Sequence, residues 1–545
     1  MTANFFKYSC FILRRDRIIA TLWILGLVLF SLGIAAAYPN LFADSEAIAS
    51  MATTLSSPPM IAMMGPVYPL VNGQLDPSKL NPAILFAQQC LMWIALAAAV
   101  MNIFFVNRYT RTDEELGRHE IIASLPVGRL TNGSAAIVTA FLINLMLAVL
   151  TGAALLVLNS HGGSLNGAFV IGFSIGTQGF VFAAITLIAA QIFSTASATA
   201  AVPFALLVFS YILRAFGDMQ NALDKTTDNM FSFISPLGLG LKINAFYDNN
   251  WYPILILFAE GVIFAMIALA INTVRDVGSG IIPAKKGRAH ASLFLQSPWG
   301  YVWRISRGSF VGWGVGLVAL GASYGTVIGS VETFIKGNEI LQRMIEQSAS
   351  GTSAADLTNG FVVIIASIMM MMTAIPLIST ISRFHLEEQH GRLEQLFALP
   401  VSRHKLFAGF LFIALIQAVF YPLIYSLGMY GVARQSTTAK TLLEASFVYL
   451  PALLFMVGLT VLLVGIIPWI AKIIWLFLGY SYFVIFFGKL IPELPDFLPK
   501  LTPFGYISQI PVETFNRTPM IVLPVLAVIM MAAGFVGIRK RDIGE

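Results

Sequence analysis

The sequence predicts an all-α, polytopic membrane protein of twelve transmembrane helices in two tandem six-helix units, with both termini cytoplasmic. Three observations predict it. Of 545 residues, 57 % are hydrophobic and only 11 % charged, with 42 Phe and 21 Met, and mean hydropathy is +0.80. That leaves too little polar surface to cover a soluble globule of this size. A bilayer core of about 30 Å needs roughly 20 apolar residues rising about 1.5 Å each, and stretches of that length recur twelve times. Finally, the second half of the chain repeats charged markers of the first.

In the first half the spans are expected at Ile18–Tyr38, Ile84–Val106, Gly133–Leu158, Ala168–Phe193, Ala200–Phe216 and Tyr252–Ile271. In the second they are expected at Ser309–Val331, Phe361–Ile381, Leu406–Tyr430, Phe447–Ile467, Ala471–Leu490 and Met520–Ile538. Basic residues cluster at alternate ends: Arg14, Arg15 and Arg17 before the first span, Arg108, Arg111, Arg118 and Arg129 after the second, Lys285, Lys286 and Arg288 after the sixth, and Arg539, Lys540 and Arg541 after the last. Such alternation marks those ends as cytoplasmic. It also accounts for the pI near 9.2 without a nucleic-acid partner, because the charges form no single patch. The loops 39–83 and 217–251 then face outward. The first apolar run is longer than a signal-peptide core and reads as a retained anchor. Cys10 falls at the inner surface and Cys90 in the outer part of a span, so no disulfide framework is implied.

The repeat defines the units. A shift of 274 positions lays Glu114, Gly117, Arg118, Glu120, Pro126 and Arg129 on Glu388, Gly391, Arg392, Glu394, Pro400 and Arg403. Both copies fit E-x-x-G-R-x-E-x4-L-P-V-x-R, and both follow a unit's second span. Ser235-Pro236-Leu237-Gly238 pairs with Thr502-Pro503-Phe504-Gly505 before the last span, and Arg275-Asp276-Val277-Gly278 with Arg541-Asp542-Ile543-Gly544 after it. Three markers in one order indicate tandem duplication. The units are expected over residues 1–278 and 299–545, joined by a cytoplasmic linker at 279–298. Six spans per unit give both the same orientation, related by an axis along the membrane normal.

The duplicated segments, about 113–129 and 387–403, read as short amphipathic helices beneath the membrane. Leu393, Leu396 and Phe397 share one face. Glu114 with Arg118, and Glu388 with Arg392, stand at i, i+4 in the favourable order. Gly117 and Gly391 permit a bend, Pro126 and Pro400 stop the helix, and Ser402 can cap the next one. Charge for topology or solubility alone explains neither the residue order nor its duplication.

This pattern resembles the loop of ABC-2-type transporter permeases, and the likeness runs over nearly the whole chain, including basic amphipathic segments at Phe5–Arg17 and Trp299–Arg307. A fused double permease of this length is similar to bacterial polyketide-antibiotic and multidrug exporters of the type V exporter-like fold. The resemblance implies that Glu114, Gly117, Arg118, Glu120, Pro126 and Arg129, with Glu388, Gly391, Arg392, Glu394, Pro400 and Arg403, form two coupling elements that dock on an ATPase. It implies a bacterial plasma-membrane exporter of amphiphilic compounds, with ATP and Mg on two separately encoded ATPase subunits and no cofactor on this chain. The sequence agrees in having no G-x-x-x-x-G-K-[ST]; its one Gly-Lys pair, Gly488-Lys489, lies in an apolar run. His119 against Leu393, and Gly128 against Ser402, leave room for asymmetry between the units.

Glu260 is the clearest ionisable residue inside a span, where a charge costs at least ~2.5 kcal/mol. It is a candidate for the substrate pathway, together with Phe209, Tyr480, Phe483 and Phe487 on the fifth span of each unit, which lines the cavity in related exporters. Arg214, near an outer helix end, is expected to snorkel. Gly172 with Gly176, and Gly308, Gly312 and Gly316, fit small-xxx-small packing. No catalytic or metal-ligand constellation stands out: His385 and His390 do not share a helix face, and His119-Glu120 lacks a second histidine for H-E-x-x-H. The rival reading is an ion-coupled secondary drug transporter with twelve spans, whose repeated loop carries a different residue order.

Overall fold

The computed structural model describes residues 4–42, 48–49, 51–52, 55–56, 58–71, 74–124, 126–224, 230–276, 278–282, 290–328, 354–398, 401–487 and 497–541. Among these the architecture is helical apart from a two-residue antiparallel pairing of Leu70–Val71 with Gln74–Leu75. Eleven helices are long and apolar enough to cross a membrane, and the chain is a multi-pass membrane protein. Eleven of the twelve expected segments coincide with them. The other, at 471–490, holds a helix of 15 described residues, Ile473–Phe487, a rise of about 22 Å that falls short of a bilayer core. Residues 488–490 lie outside the described residues.

The chain divides into two compact units, residues 1–286 and 287–545. Unit one contains α1 (Phe5–Leu41), α2 (Pro82–Asn107), the short α3 (Arg118–Ala123), α4 (Thr131–Ala154), α5 (Leu165–Ile192), α6 (Ala196–Asp224) and α7 (Tyr252–Val274). Helix α5 is its hub and packs on α2, α4 and α7. Small residues allow the close approach. A Cβ on Gly172 would overlap the carbonyl of Ala148, and one on Gly176 would stand 2.8 Å from the carbonyl of Asn144. Across the buried α2–α4 seam, Asn102 and Asn144 exchange amide hydrogen bonds of 2.9 and 2.7 Å, satisfying polar groups that lipid could not.

Unit two contains α8 (Pro298–Ile328), α9 (Ala354–Gln389), the short α10 (Arg392–Phe397), α11 (Arg403–Ala433), α12 (Leu450–Ile466), α13 (Ile473–Phe487) and α14 (Arg517–Lys540). Its core forms where α9 meets α11 and α12, and it absorbs Met369, Met370 and Met371. Gly465 and Gly534 let α12 and α14 touch backbone to backbone. Gly308, Gly312 and Gly316 do not follow the expected pattern, because a Cβ on any of them would meet nothing among the described residues. Spacing alone identifies small residues, not the face a partner uses.

Arg214 does not snorkel. Its side chain is fully buried and pairs with Asp218, Nη1 to Oδ2 at 3.4 Å, and it donates to the carbonyls of Ile61 and Met63 at 3.3 Å each. Its guanidinium also lies 4.8 Å from the Tyr211 ring centroid. The segment Pro58–Met64 is thereby fastened to α6. Cys10 is exposed, Cys90 buried, and both are free.

Candidate functional site

Each duplicated charged segment starts where a unit's second long helix ends. In unit one, α2 runs on through a π-helical turn, Arg108–Thr112, and a final turn at Asp113–Glu115. Gly117 then takes φ +70° and caps α3; in unit two Gly391 takes φ +66° and caps α10. These left-handed positions suit glycine, which lacks the Cβ that resists such a backbone. They break the helix just after the acidic residue and send a six-residue helix in a new direction.

The acidic residues do not pair with the arginines four positions on. Glu114 is nearly buried and accepts from Arg275 at 2.6 Å (Nη2 to Oε1) and 3.1 Å (Nη1 to Oε2), and from Arg111 at 2.8 Å. Glu388 is likewise buried and is gripped by the Arg541 guanidinium through both carboxylate oxygens, with His385 Nδ1 at 3.1 Å. Arg118 pairs instead with Asp113 (3.3 Å), and Arg392 with Glu387 (3.2 Å). The helix break removes the regular geometry that an i, i+4 pair needs. In unit one the near-buried carboxylate is held instead by a two-pronged guanidinium.

The two units share the main contacts of this arrangement. Arg275 Nη1 donates to the carbonyl of Ala190, at the end of α5, and Arg541 Nη1 to that of Val464, at the end of α12. The carbonyl of Arg275 accepts from Arg129, and that of Arg541 from Arg403. Ala190 and Val464, Arg129 and Arg403, Arg111 and His385, and Asp113 and Glu387 are all related by the shift of 274 that relates Glu114 to Glu388. In each unit two arginines therefore tie together the ends of four long helices: the guanidinium of Arg275 or Arg541, at the end of the last helix, holds the second and fourth, and that of Arg129 or Arg403, at the start of the third, holds the last. Unit one adds Asp16, buried at a break in α1 (φ −110°, ψ 15°), which pairs with Arg15 and Arg108. Arg15 also reaches Asp113 at 2.7 Å.

The remaining positions divide into tethered and free. Leu393 is fully buried, and Leu396 and Phe397 pack on the unit-two core, with the Arg403 guanidinium 5.9 Å from the Phe397 ring centroid. Ser402 caps α11 by accepting from the Lys405 amide at 3.3 Å; α4 has no such side-chain cap. Pro126 is exposed, and its carbonyl accepts from Asn4 at 2.7 Å. Pro400 lies outside the described residues. Glu120 and Glu394 are solvent-exposed, and among the described residues neither carboxylate has a hydrogen bond or ion pair.

Of the pathway candidates, Glu260 and Phe209 meet in one cavity of about 350 Å³ between α5, α6 and α7. Tyr480 donates its hydroxyl to the carbonyl of Leu498 at 2.9 Å, and Phe483 is half exposed. The side chain of Phe487 lies outside the described residues.

Residues 295–539 match the family model described as "Multidrug efflux system permease Rv1217c, C-terminal domain". The similarity extends beyond that segment. Over 541 residues the chain is 29 % identical to the "Multidrug efflux system permease protein Rv1217c" of Mycobacterium tuberculosis, covering 97 % of this chain and 94 % of the relative. Glu394 lies within the matched segment, and so does the whole Glu388 clamp except Arg541.

Sequence reasoning located the acidic and glycine positions but missed Asp16, Asp113 and the partners of the glutamates. A signal for those partners was present. Arg275 and Arg541 head the third repeat marker, and a duplicated arginine alongside a duplicated glutamate is what a duplicated ion pair leaves in a sequence.

Proposed function

We propose that this chain is the permease of an ABC-2-type, ATP-driven exporter that carries amphiphilic or hydrophobic compounds out of a bacterial cell across its plasma membrane. ATP and Mg would be bound by two copies of a separate ATPase subunit, one on each coupling element. End-to-end similarity to a multidrug efflux permease supports the efflux reading. The observation that carries the coupling reading is the duplicated clamp. A short helix can move a unit only if it is stiffly joined to the spans, and Glu114 with Arg275, like Glu388 with Arg541, fastens the helix end from which α3 or α10 departs to the other helix ends of its unit.

Within each element the residues take different parts. Glu114 and Glu388 brace the site from inside. Gly117 and Gly391 turn the chain, and Arg118 and Arg392 hold the turn through Asp113 and Glu387. Glu120 and Glu394 are the acidic groups left to meet basic residues of a partner. In a partly dehydrated interface such pairs gain strength relative to water.

The test is affinity purification of the tagged chain from its native membrane, followed by an ATPase assay with and without amphiphilic drugs. Co-purification of an ATPase with drug-stimulated turnover is expected. If no ATPase co-purifies, and transport survives ATP depletion but collapses with the proton gradient, the chain is an ion-coupled transporter instead.

A further inference from the structure

The unit-one cavity is lined almost wholly by apolar side chains, among them Phe182, Phe209, Phe264 and Leu206. Three polar side chains reach its wall. Ser210 and Ser235 are occupied with each other, Oγ to Oγ at 2.7 Å, and Ser235 also donates to the Ser210 carbonyl at 2.8 Å. The third is Glu260, half-buried on α7, about 12 Å along the helix from Tyr252 at 1.5 Å per residue. Among the described residues no basic side chain or hydrogen-bond donor reaches its carboxylate. A carboxylate at that depth is retained where it faces a cavity or a counter-charge, and here the cavity is present without the counter-charge.

We propose that this cavity binds a lipophilic monocation, with the charge against Glu260 and the apolar body among the phenylalanine rings. A single carboxylate matches a single positive charge. Aromatic faces attract a weakly hydrated cation that a water-loving dication would not exchange its shell for. The volume is near the lower end of the usual ~300–1,000 Å³ for small-molecule sites. Unit two does not repeat the carboxylate, since the shift that lays Arg275 on Arg541 places Leu526 opposite Glu260. The inference deepens the export reading by naming a substrate class, and it rests on that reading only for the step from binding to transport.

The experiment uses the full chain in nanodiscs of zwitterionic lipid, with tetraphenylphosphonium and the uncharged triphenylphosphine oxide as probes, read by equilibrium dialysis. Wild type is expected to take up one tetraphenylphosphonium per chain saturably. Glu260→Gln should weaken its affinity at least tenfold while leaving the oxide unchanged, and Glu260→Asp should restore most of the loss. Phe209→Ala should weaken both probes. Tetraphenylphosphonium bound equally by wild type and Glu260→Gln, or no saturable binding to wild type, would overturn the proposal and leave the cavity as a slot for lipid chains. No ATPase is present in this measurement. Failure here therefore leaves the exporter reading standing, and failure of the ATPase to co-purify leaves the binding result standing.

Discussion

Arg275 reaches back 161 residues to hold the two carboxylate oxygens of Glu114 with its two terminal nitrogens, and Arg541 reaches back 153 residues to hold both oxygens of Glu388 through Nη2. Both carboxylates are nearly buried. Removing one member of such a pair leaves the other charged and unsatisfied, which costs about 3–5 kcal/mol. Arg541→Ala should therefore lower the thermal unfolding temperature of the purified protein strongly, and Glu388→Gln/Arg541→Met should recover much of the loss. A thermal-shift double-mutant cycle giving no coupling between the two positions would show the clamp to be energetically idle.

The exposed glutamates should behave in the opposite way. Among the described residues neither carboxylate makes a hydrogen bond or ion pair, so on Glu120→Ala and Glu394→Ala the unfolding temperature should stay within the spread of a surface change, about 0.5 kcal/mol. Their effect should appear in complex formation, as a several-fold loss of ATPase subunit retained on the tagged permease, larger for the double variant. Unchanged retention in the double variant would remove these residues from the docking surface.

Gly117 and Gly391 have open space where a Cβ would stand, so an alanine there meets only the resistance of its own backbone at φ +70° and +66°. The expected loss is roughly 1–2 kcal/mol for each. Asparagine, which visits this conformation more readily, should lose less. The order glycine, asparagine, alanine in unfolding temperature is the readout.

Helix packing separates the two glycine patterns. Gly172→Val should disrupt the α4–α5 contact, where a Cβ already collides with backbone, and should abolish the monodisperse peak in size-exclusion chromatography. Gly312→Val adds a side chain where none of the described residues stands near, and it should purify as wild type does.

The Arg214 contacts offer a test by proteolysis. Arg214→Met removes the two hydrogen bonds to Ile61 and Met63 together with the charge opposite Asp218. The variant should be cut several-fold faster within residues 58–66, and Asp218→Asn should suppress part of that increase if added to it, since it withdraws the unpaired charge.

Hydropathy and the 274-residue repeat made the helical plan and the duplicated motif readable from sequence, because bilayer thickness and duplication both write long-range periodic signals. The pairing of Glu114 was misread because the i, i+4 rule assumes an unbroken helix, and Gly117 breaks it three residues later. The burial of Arg214 was missed although Asp218 stands four positions on, since a charge near a helix end gives no sign of whether protein or lipid covers it. Glu260 and Phe209 are both pathway candidates from the sequence, but their sharing one cavity is not readable there, because the residues lie on different helices and are joined by the shape between them.

The clamp also orders events during synthesis. Glu388 is made before α11, α12, α13 and α14, and its guanidinium partner emerges only after all four; Glu114 waits in the same way for α4, α5, α6 and α7. Each duplicated charged segment thus stays unfastened while its unit is being threaded into the bilayer. Its fastening marks completion of that unit, so that a chain caught halfway through biogenesis still has loose helix ends on that face.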